Sequence, residues 1–266
     1  MASSDIALVH ERRSAGAVLL LHGMTGAPTE LITVARSLHQ SGFDVYCPTL
    51  PGHLAGRIEV MRPTWRDWLQ FSIEKFDELS QGYASVAVGG VCIGAVLAAA
   101  IAEERRPAAV VCLAPIFKLD GWSIPWYGVF TGFALYTPLK YFLVFPEGET
   151  LGIRDAEVRA KVSDKMAARN DILDCFPLIC VRHMLALGRY VRRRLSQVQS
   201  PVLVMHSVRD DLAHIRGAKG IRDGVSSQIK EFHAVENSYH LITMDRDREF
   251  VAQTVTRFLQ SHVGVA

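Results

Sequence analysis

The sequence predicts an α/β fold, a mostly parallel sheet flanked by helices, with one inserted segment. Three observations predict it. Short apolar runs alternate with helix-patterned stretches over most of the 266 residues. The runs end in turn-forming residues such as His22-Gly23, Pro51-Gly52 and Gly94. The alternation lapses after Pro115 and returns at Pro201. The domain division follows: residues 1–115 and 191–266 form a core, and 116–190 form a lid inserted into it.

Along the chain, residues 17–21 are a continuous apolar run, as a strand covered on both faces requires. Pro28 opens a helical pattern to residue 39, ended by Ser41-Gly42. Residues 44–50 follow as a strand, and 65–79 carry Trp68, Leu69, Ile73, Phe76 and Leu79 at helical spacing. A strand over 85–91, a small-residue helix over 93–104 and a strand over 107–115 complete the first half. After the insertion come a strand (201–207), a helix (212–225), a strand (231–235) and a last helix (245–259). No internal repeat or low-complexity tract interrupts this order.

Composition narrows the function. Hydrophobic residues make up 49% and charged residues 21%, ordinary for a globular chain and not for a disordered or fibrous one. The net charge is +2, which offers no electrostatic basis for nucleic acid as a partner. Five cysteines (Cys47, Cys92, Cys112, Cys175, Cys180) are an odd number in mostly apolar surroundings, so reduced thiols and a cytoplasmic location are expected. The first residues lack the apolar run of a secretory signal. Residues 84–102 and 121–139 are uncharged over the ~18 residues a membrane helix needs. Both contain glycine or proline breakers, so neither is read as a span.

In a parallel sheet the chemistry gathers at the carboxyl ends of the strands. There Gly90-Val91-Cys92-Ile93-Gly94 has the form Gly-x-nucleophile-x-Gly between a strand and a helix. A helix N-terminus favours a thiolate and any oxyanion beside it. His22-Gly23-Met24 ends an earlier strand, and its turn can aim the Met24 N–H toward the same point as the Ile93 N–H, a pair of oxyanion donors. His22 itself is read as a brace for the loop. Val208-Arg209-Asp210-Asp211 places an acid past a later strand, with Asp210 preferred for its short turn, and Ser238-Tyr239-His240 places a histidine past the last strand. The order nucleophile, acid, histidine fits a Cys92-His240-Asp210 triad in which the carboxylate fixes the imidazole tautomer.

These segments, with Asn237-Ser238-Tyr239-His240-Leu241-Ile242-Thr243-Met244-Asp245, resemble the α/β-hydrolase superfamily, and within it the bacterial monoacylglycerol lipases and small carboxylesterases. The resemblance runs from about residue 15 to 262. It implies an α/β-hydrolase fold with Cys92 as nucleophile, Asp210 as acid, His240 as base, and Met24 and Ile93 as oxyanion donors. Cys92 stands where that family has serine, and Ala95 replaces a common second glycine. Locally, Gly-x-Cys-x-Gly is similar to polyhydroxyalkanoate synthases and dienelactone hydrolases.

The insertion carries ten of the chain's 23 aromatic residues between Phe117 and Phe145. Trp122, Trp126, Phe130 and Phe133 are the candidate walls of an apolar acyl pocket. The same rings could instead pack the lid onto the core, or give it a membrane-facing surface, the lesser reading. Arg189, Arg192, Arg193 and Arg194 read as a solvated helix face rather than a site for an anionic carrier. His206, Asp210, Asp211 and His214 cluster in sequence but match no zinc spacing, so no metal and no cofactor are expected. The expected function is an acyl hydrolase (esterase, lipase or thioesterase) working through an acyl-cysteine on hydrophobic substrates, with carrier- or coenzyme A-linked donors among the candidates. The alternatives are an acyltransferase or condensing enzyme passing the acyl group to an acceptor other than water, and a non-catalytic binding module on the same fold.

Overall fold

The computed structural model describes residues 5–12, 14, 16–124, 133–146, 148–167, 173 and 175–264. Among them, seven strands form one sheet. β1 (Ile6–Leu8), β2 (Gly16–Leu21), β3 (Asp44–Cys47), β4 (Ser85–Val91) and β5 (Val110–Leu113) come from the first half. A two-stranded ribbon of β6 (Val144–Pro146) and β7 (Cys175–Pro177) belongs to the insertion, and β8 (Val202–Ser207) and β9 (Lys230–Val235) return to the sheet. The spatial order is β1-β3-β2-β4-β5-β8-β9. Every neighbouring pair is parallel except β1 with β3. β1 is the one strand of the sheet not expected from the pattern; three residues are too few to show an alternation.

The helices are α1 (Ile32–Gln40), α2 (Arg57–Val60), α3 (Trp65–Gly82), α4 (Ile93–Glu104), α5 (Ala156–Ala167), α6 (Leu178–Arg192), α7 (Arg216–Gly224) and α8 (Arg248–His262). α1 packs against α8, and α4 against α3 and α6, so two helical layers enclose the sheet. β2 lies inside the sheet and is buried along its whole length, which is why its sequence reads Gly-Ala-Val-Leu-Leu-Leu without a polar residue. α4 is apolar on every side and buried from Ile93 to Glu103. Its alanines let β4, β5, α3 and α6 approach it from several directions. No helix among the described residues is long and apolar enough to cross a membrane.

Where the elements differ from expectation, a local reason is visible. The strand expected over 44–50 stops at Cys47, because Pro48 has no N–H for the ladder. The helix expected from residue 212 begins at Arg216; ahead of it the Leu212 and Ala213 N–H groups donate to Asp210 Oδ1 (2.9 and 2.8 Å). The helix expected from residue 28 opens as a 3-10 turn, Pro28–Leu31, before α1 begins.

The β4-to-α4 turn sets the geometry of everything above it. Cys92 adopts φ 59° and ψ −119°, a backbone conformation costing about 1–3 kcal/mol for a residue with a side chain. The surroundings hold it there: its N–H donates to Leu113 O at 3.0 Å. The two flanking glycines are compelled by contact. A Cβ on Gly90 would lie 2.4 Å from the Gly94 carbonyl carbon, and one on Gly94 only 2.0 Å from Leu21 O. By contrast, nothing lies within 4 Å of a Cβ added to Gly220, in α7. Gly94→Ala is therefore expected to lower unfolding stability by about 2 kcal/mol or more, whereas Gly220→Ala is expected to raise it by about 0.5 kcal/mol. Urea unfolding of the two variants against wild type checks both signs.

Candidate functional site

Four loops at the carboxyl ends of β2, β4, β8 and β9 bring the expected residues together. Cys92 stands at the N-terminus of α4 and is buried. Beside it runs the turn after β2. A Cβ on Gly23 would come within 3.3 Å of Cys92 Cβ, so that turn lies directly against the thiol residue. His22 is fully buried; its Nε2 accepts the Leu50 N–H (3.0 Å) and its Nδ1 donates to Gly23 O (2.8 Å). Those two bonds fix a neutral imidazole, and burial, aided by the charge of His53, pushes its pKa down to about 3. His22 thus braces the turn and does not titrate near neutrality. Neither the Met24 N–H nor the Ile93 N–H has an acceptor among the described residues; Ile93 follows Cys92 directly, and Met24 follows the Gly23 that lies against it.

On the other side, His240 Nδ1 bonds Asp210 Oδ2 at 2.7 Å, with both side chains almost wholly buried. The remaining Asp210 oxygen takes the Leu212 and Ala213 N–H groups, and His206 Nε2 lies 3.2 Å from Oδ2. Burial by itself would raise the Asp210 carboxyl, but the charges and hydrogen bonds of His240, His206 and Ala213 hold it below the usual carboxylate range. Burial by itself would lower the His240 imidazole. The Asp210 carboxylate and the Cys92 sulfur outweigh it and raise the imidazole well above the ordinary histidine range. Cys92 is near enough for its charge to be felt at the His240 imidazole, whose Nε2 is buried and makes no hydrogen bond among the described residues.

Several residues that hold this arrangement were given no positioning role by the sequence. Asp211, fully buried, accepts the His240 N–H (3.1 Å) on Oδ1 and the Thr150 hydroxyl on Oδ2. It thereby ties the histidine loop to the insertion. Asp245, also fully buried, accepts four backbone N–H groups: Tyr239 and Arg154 on Oδ2 (2.8 and 2.7 Å), Arg246 and Asp155 on Oδ1 (2.8 and 2.9 Å). Leu241 N donates to Gly152 O at 2.8 Å, closing the same junction. Adjacency of two aspartates gave no sign that the second would position the histidine backbone.

The insertion residues divide. Trp122 is 59% exposed, donates from Nε1 to Arg209 O (2.9 Å), and sets its ring edge against Tyr239 with centroids 5.3 Å apart. It clamps the acid loop to the histidine loop. Phe133 is 78% exposed. Trp126 and Phe130 lie outside the described residues.

Among the described residues, His10, His39 and Asp44 are the one group whose possible metal-ligating atoms lie within 4.8 Å of one another. The two rings are stacked, 19° from parallel, so their in-plane lone pairs do not converge on one point. Asp44 already accepts the His10 N–H, the Ser14 N–H and the Tyr83 hydroxyl. The group acts as a hydrogen-bonded brace at the start of β3.

Glu30 is the least expected member of the site. Its Oε2 accepts the Gly23 N–H at 2.9 Å, and a Cβ on Gly26 would collide with its carboxylate. Burial pushes the carboxyl up to about 7, opposed by the Gly23 hydrogen bond, the charge of His240 and the Ala27 backbone. Nothing local in Pro28-Thr29-Glu30-Leu31 signals this; it depends on the turn folding back over Gly23. Because the folded chain holds this proton to higher pH than the unfolded chain, wild type loses stability as pH rises from about 4.5 to about 7. Glu30→Gln keeps an acceptor for Gly23 and removes the titration. Its stability relative to wild type is expected to improve by about 2 kcal/mol between pH 5 and pH 8, read by urea unfolding at both values.

Comparison with known proteins identifies the family and the fold. The family model described as serine aminopeptidase, S33 (Hydrolase_4) matches residues 12–247. A carboxylesterase of Bacillus subtilis (strain 168) is 24% identical over 245 residues, 92% of each chain. A thermostable monoacylglycerol lipase of Bacillus sp. (strain H-257) is 25% identical over 250 residues, covering 93% of this chain and 91% of that one. Among solved structures, one from work on LipS and LipT, two metagenome-derived lipolytic enzymes, superposes with a TM-score of 0.82 at 23% identity over 97% of both chains. The chain belongs to the serine aminopeptidase, S33 (Hydrolase_4) family and has the α/β-hydrolase fold.

Proposed function

We propose that this protein is an esterase- or lipase-type hydrolase that cleaves carboxylic esters of hydrophobic acyl groups through an acyl-cysteine on Cys92. The observation that carries the reading is the buried Asp210–His240 pair, 2.7 Å apart, with Cys92 acting on the same imidazole. The relatives named carboxylesterase and monoacylglycerol lipase support the substrate class.

In this reading the Cys92 proton passes to His240 Nε2 as the sulfur attacks the ester carbonyl carbon. The carbonyl π electrons move onto oxygen, where the Met24 and Ile93 N–H groups stabilise the negative charge; one such donor contributes about 3 kcal/mol. As the C–O bond to the leaving group breaks, the alkoxide takes the proton from His240. A water molecule then gives a proton to His240 and adds its hydroxide to the thioester carbonyl. The thiolate leaves and recovers that proton, releasing the carboxylic acid. Asp210 keeps Nδ1 protonated and offsets the imidazolium charge at both stages. The family description names a serine. Sulfur at Cys92 changes the nucleophile's acidity and makes the intermediate a thioester, without changing the parts that surround it.

Residues 116–190 act as the cap of this site. Thr150 on Asp211, Arg154 and Asp155 on Asp245, and Leu241 on Gly152 join it to the acid and histidine loops. The exposed Phe133, Tyr136, Leu139, Tyr141 and Phe142 supply apolar surface suited to an acyl chain. A reducing, cytoplasmic compartment suits the free thiols of Cys47, Cys92, Cys112 and Cys180.

Hydrolysis of a p-nitrophenyl ester series from acetyl to dodecanoyl tests the reading. Medium or long chains are expected to give the highest kcat/KM. Cys92→Ala and Asp210→Asn are expected to lose about 10³-fold or more in kcat with folding intact. Full activity in Cys92→Ala, or acetyl as the best substrate, contradicts it.

A further inference from the structure

A second concavity lies outside the Cys92 site. It encloses about 310 Å³ between the chain leaving β5, the end of α6 and the start of α7. Lys118, Arg192 and Arg216 line it together with His214, Asp120 and an apolar floor that includes Phe117. Among the described residues none of the three cations has a carboxylate within ion-pair distance. The single acid in the wall, Asp120, spends Oδ1 on the His214 N–H at 2.9 Å. All three cations are exposed, and one of them, Arg192, is held in place by a ring. The Arg192 guanidinium lies over the Phe117 ring, 4.8 Å from its centroid, and Phe117 is itself buried. Arg216 is the first residue of α7, whose first turn holds no acidic residue; its own N–H donates to His214 Nδ1 at 3.1 Å. The positive end of the helix dipole therefore adds to the same field.

Like charges gather without counter-charges only at a cost, and an anion of matching charge relieves it. The wall carries a surplus of two positive charges over its single carboxylate. That surplus suits a phosphate monoester better than a single carboxylate. Two guanidinium groups supply the planar forks that bind phosphate oxygens in pairs. The volume and the Phe117 floor leave room for more than the phosphate itself.

We propose that this cavity binds a phosphate group carried on a larger molecule, held by Lys118, Arg192 and Arg216. The phosphate could belong to the carrier of an acyl donor, which would rest on the acyl-cysteine reading above, or to a free phosphorylated effector, which would not. The test separates them and does not depend on turnover. Isothermal titration of the whole protein with inorganic phosphate, glycerol 3-phosphate and coenzyme A is expected to show saturable binding of at least one phosphate ester, weakening as salt rises. The double variant Lys118→Gln/Arg216→Gln changes two exposed side chains and is expected to bind about tenfold more weakly or worse. Coenzyme A binding more tightly than glycerol 3-phosphate assigns the site to an acyl carrier; the reverse order assigns it to a small effector. Cys92→Ala is expected to bind as wild type does, so loss of the catalytic reading leaves this one standing. No saturable binding of any probe below about 10 mM, or equal affinity in the double variant, overturns the proposal.

Discussion

A carboxylate and an imidazole sealed from water beside a thiol are the constraint that the rest of the structure serves. Isolated, each group would be driven toward its neutral form by burial. Together, at 2.7 Å, Asp210 and His240 reverse that tendency: the carboxyl stays below its ordinary range and the imidazole rises above it. Such a pair is stable only where further hydrogen bonds support the buried carboxylate. The Leu212 and Ala213 N–H groups provide these for Asp210.

The neighbouring aspartates extend the same logic from charge to backbone. Asp211 and Asp245 bond no triad side chain, yet their oxygens collect the backbone N–H groups of His240, Tyr239, Arg154 and Asp155. A buried carboxylate that accepts several backbone N–H groups fixes the loops donating them. The insertion is thereby fastened to the histidine loop rather than only resting on it. Glu30 does the corresponding task for the turn after β2, holding the Gly23 N–H from beneath. Four acidic side chains from three separate loops thus set the positions of the groups that surround Cys92.

How much of this could be read from the sequence depends on the range of the signal. The alternation of elements, the glycines around Cys92 and the aspartate and histidine past β8 and β9 are local patterns with a steric or topological cause, and they were legible. The roles of Asp211 and Glu30 were not, because each depends on a partner far along the chain: Thr150 for one, a turn seven residues back for the other. Trp122 shows the same limit. Its aromatic character suggested a pocket wall and gave no sign of the Nε1 hydrogen bond to Arg209 O, which links two loops. The unpaired cations at Lys118, Arg192 and Arg216 come from three distant segments and converge only in the fold.

The most direct measurement of the central claim is the titration of the His240 ring, followed by NMR of ¹⁵N-histidine-labelled protein. The account predicts an imidazole that keeps its proton well above the ordinary histidine range in wild type, loses part of that shift in Cys92→Ala and loses more in Asp210→Asn. An imidazole that titrates at the ordinary value in wild type, or identically with and without the Cys92 sulfur, would contradict it.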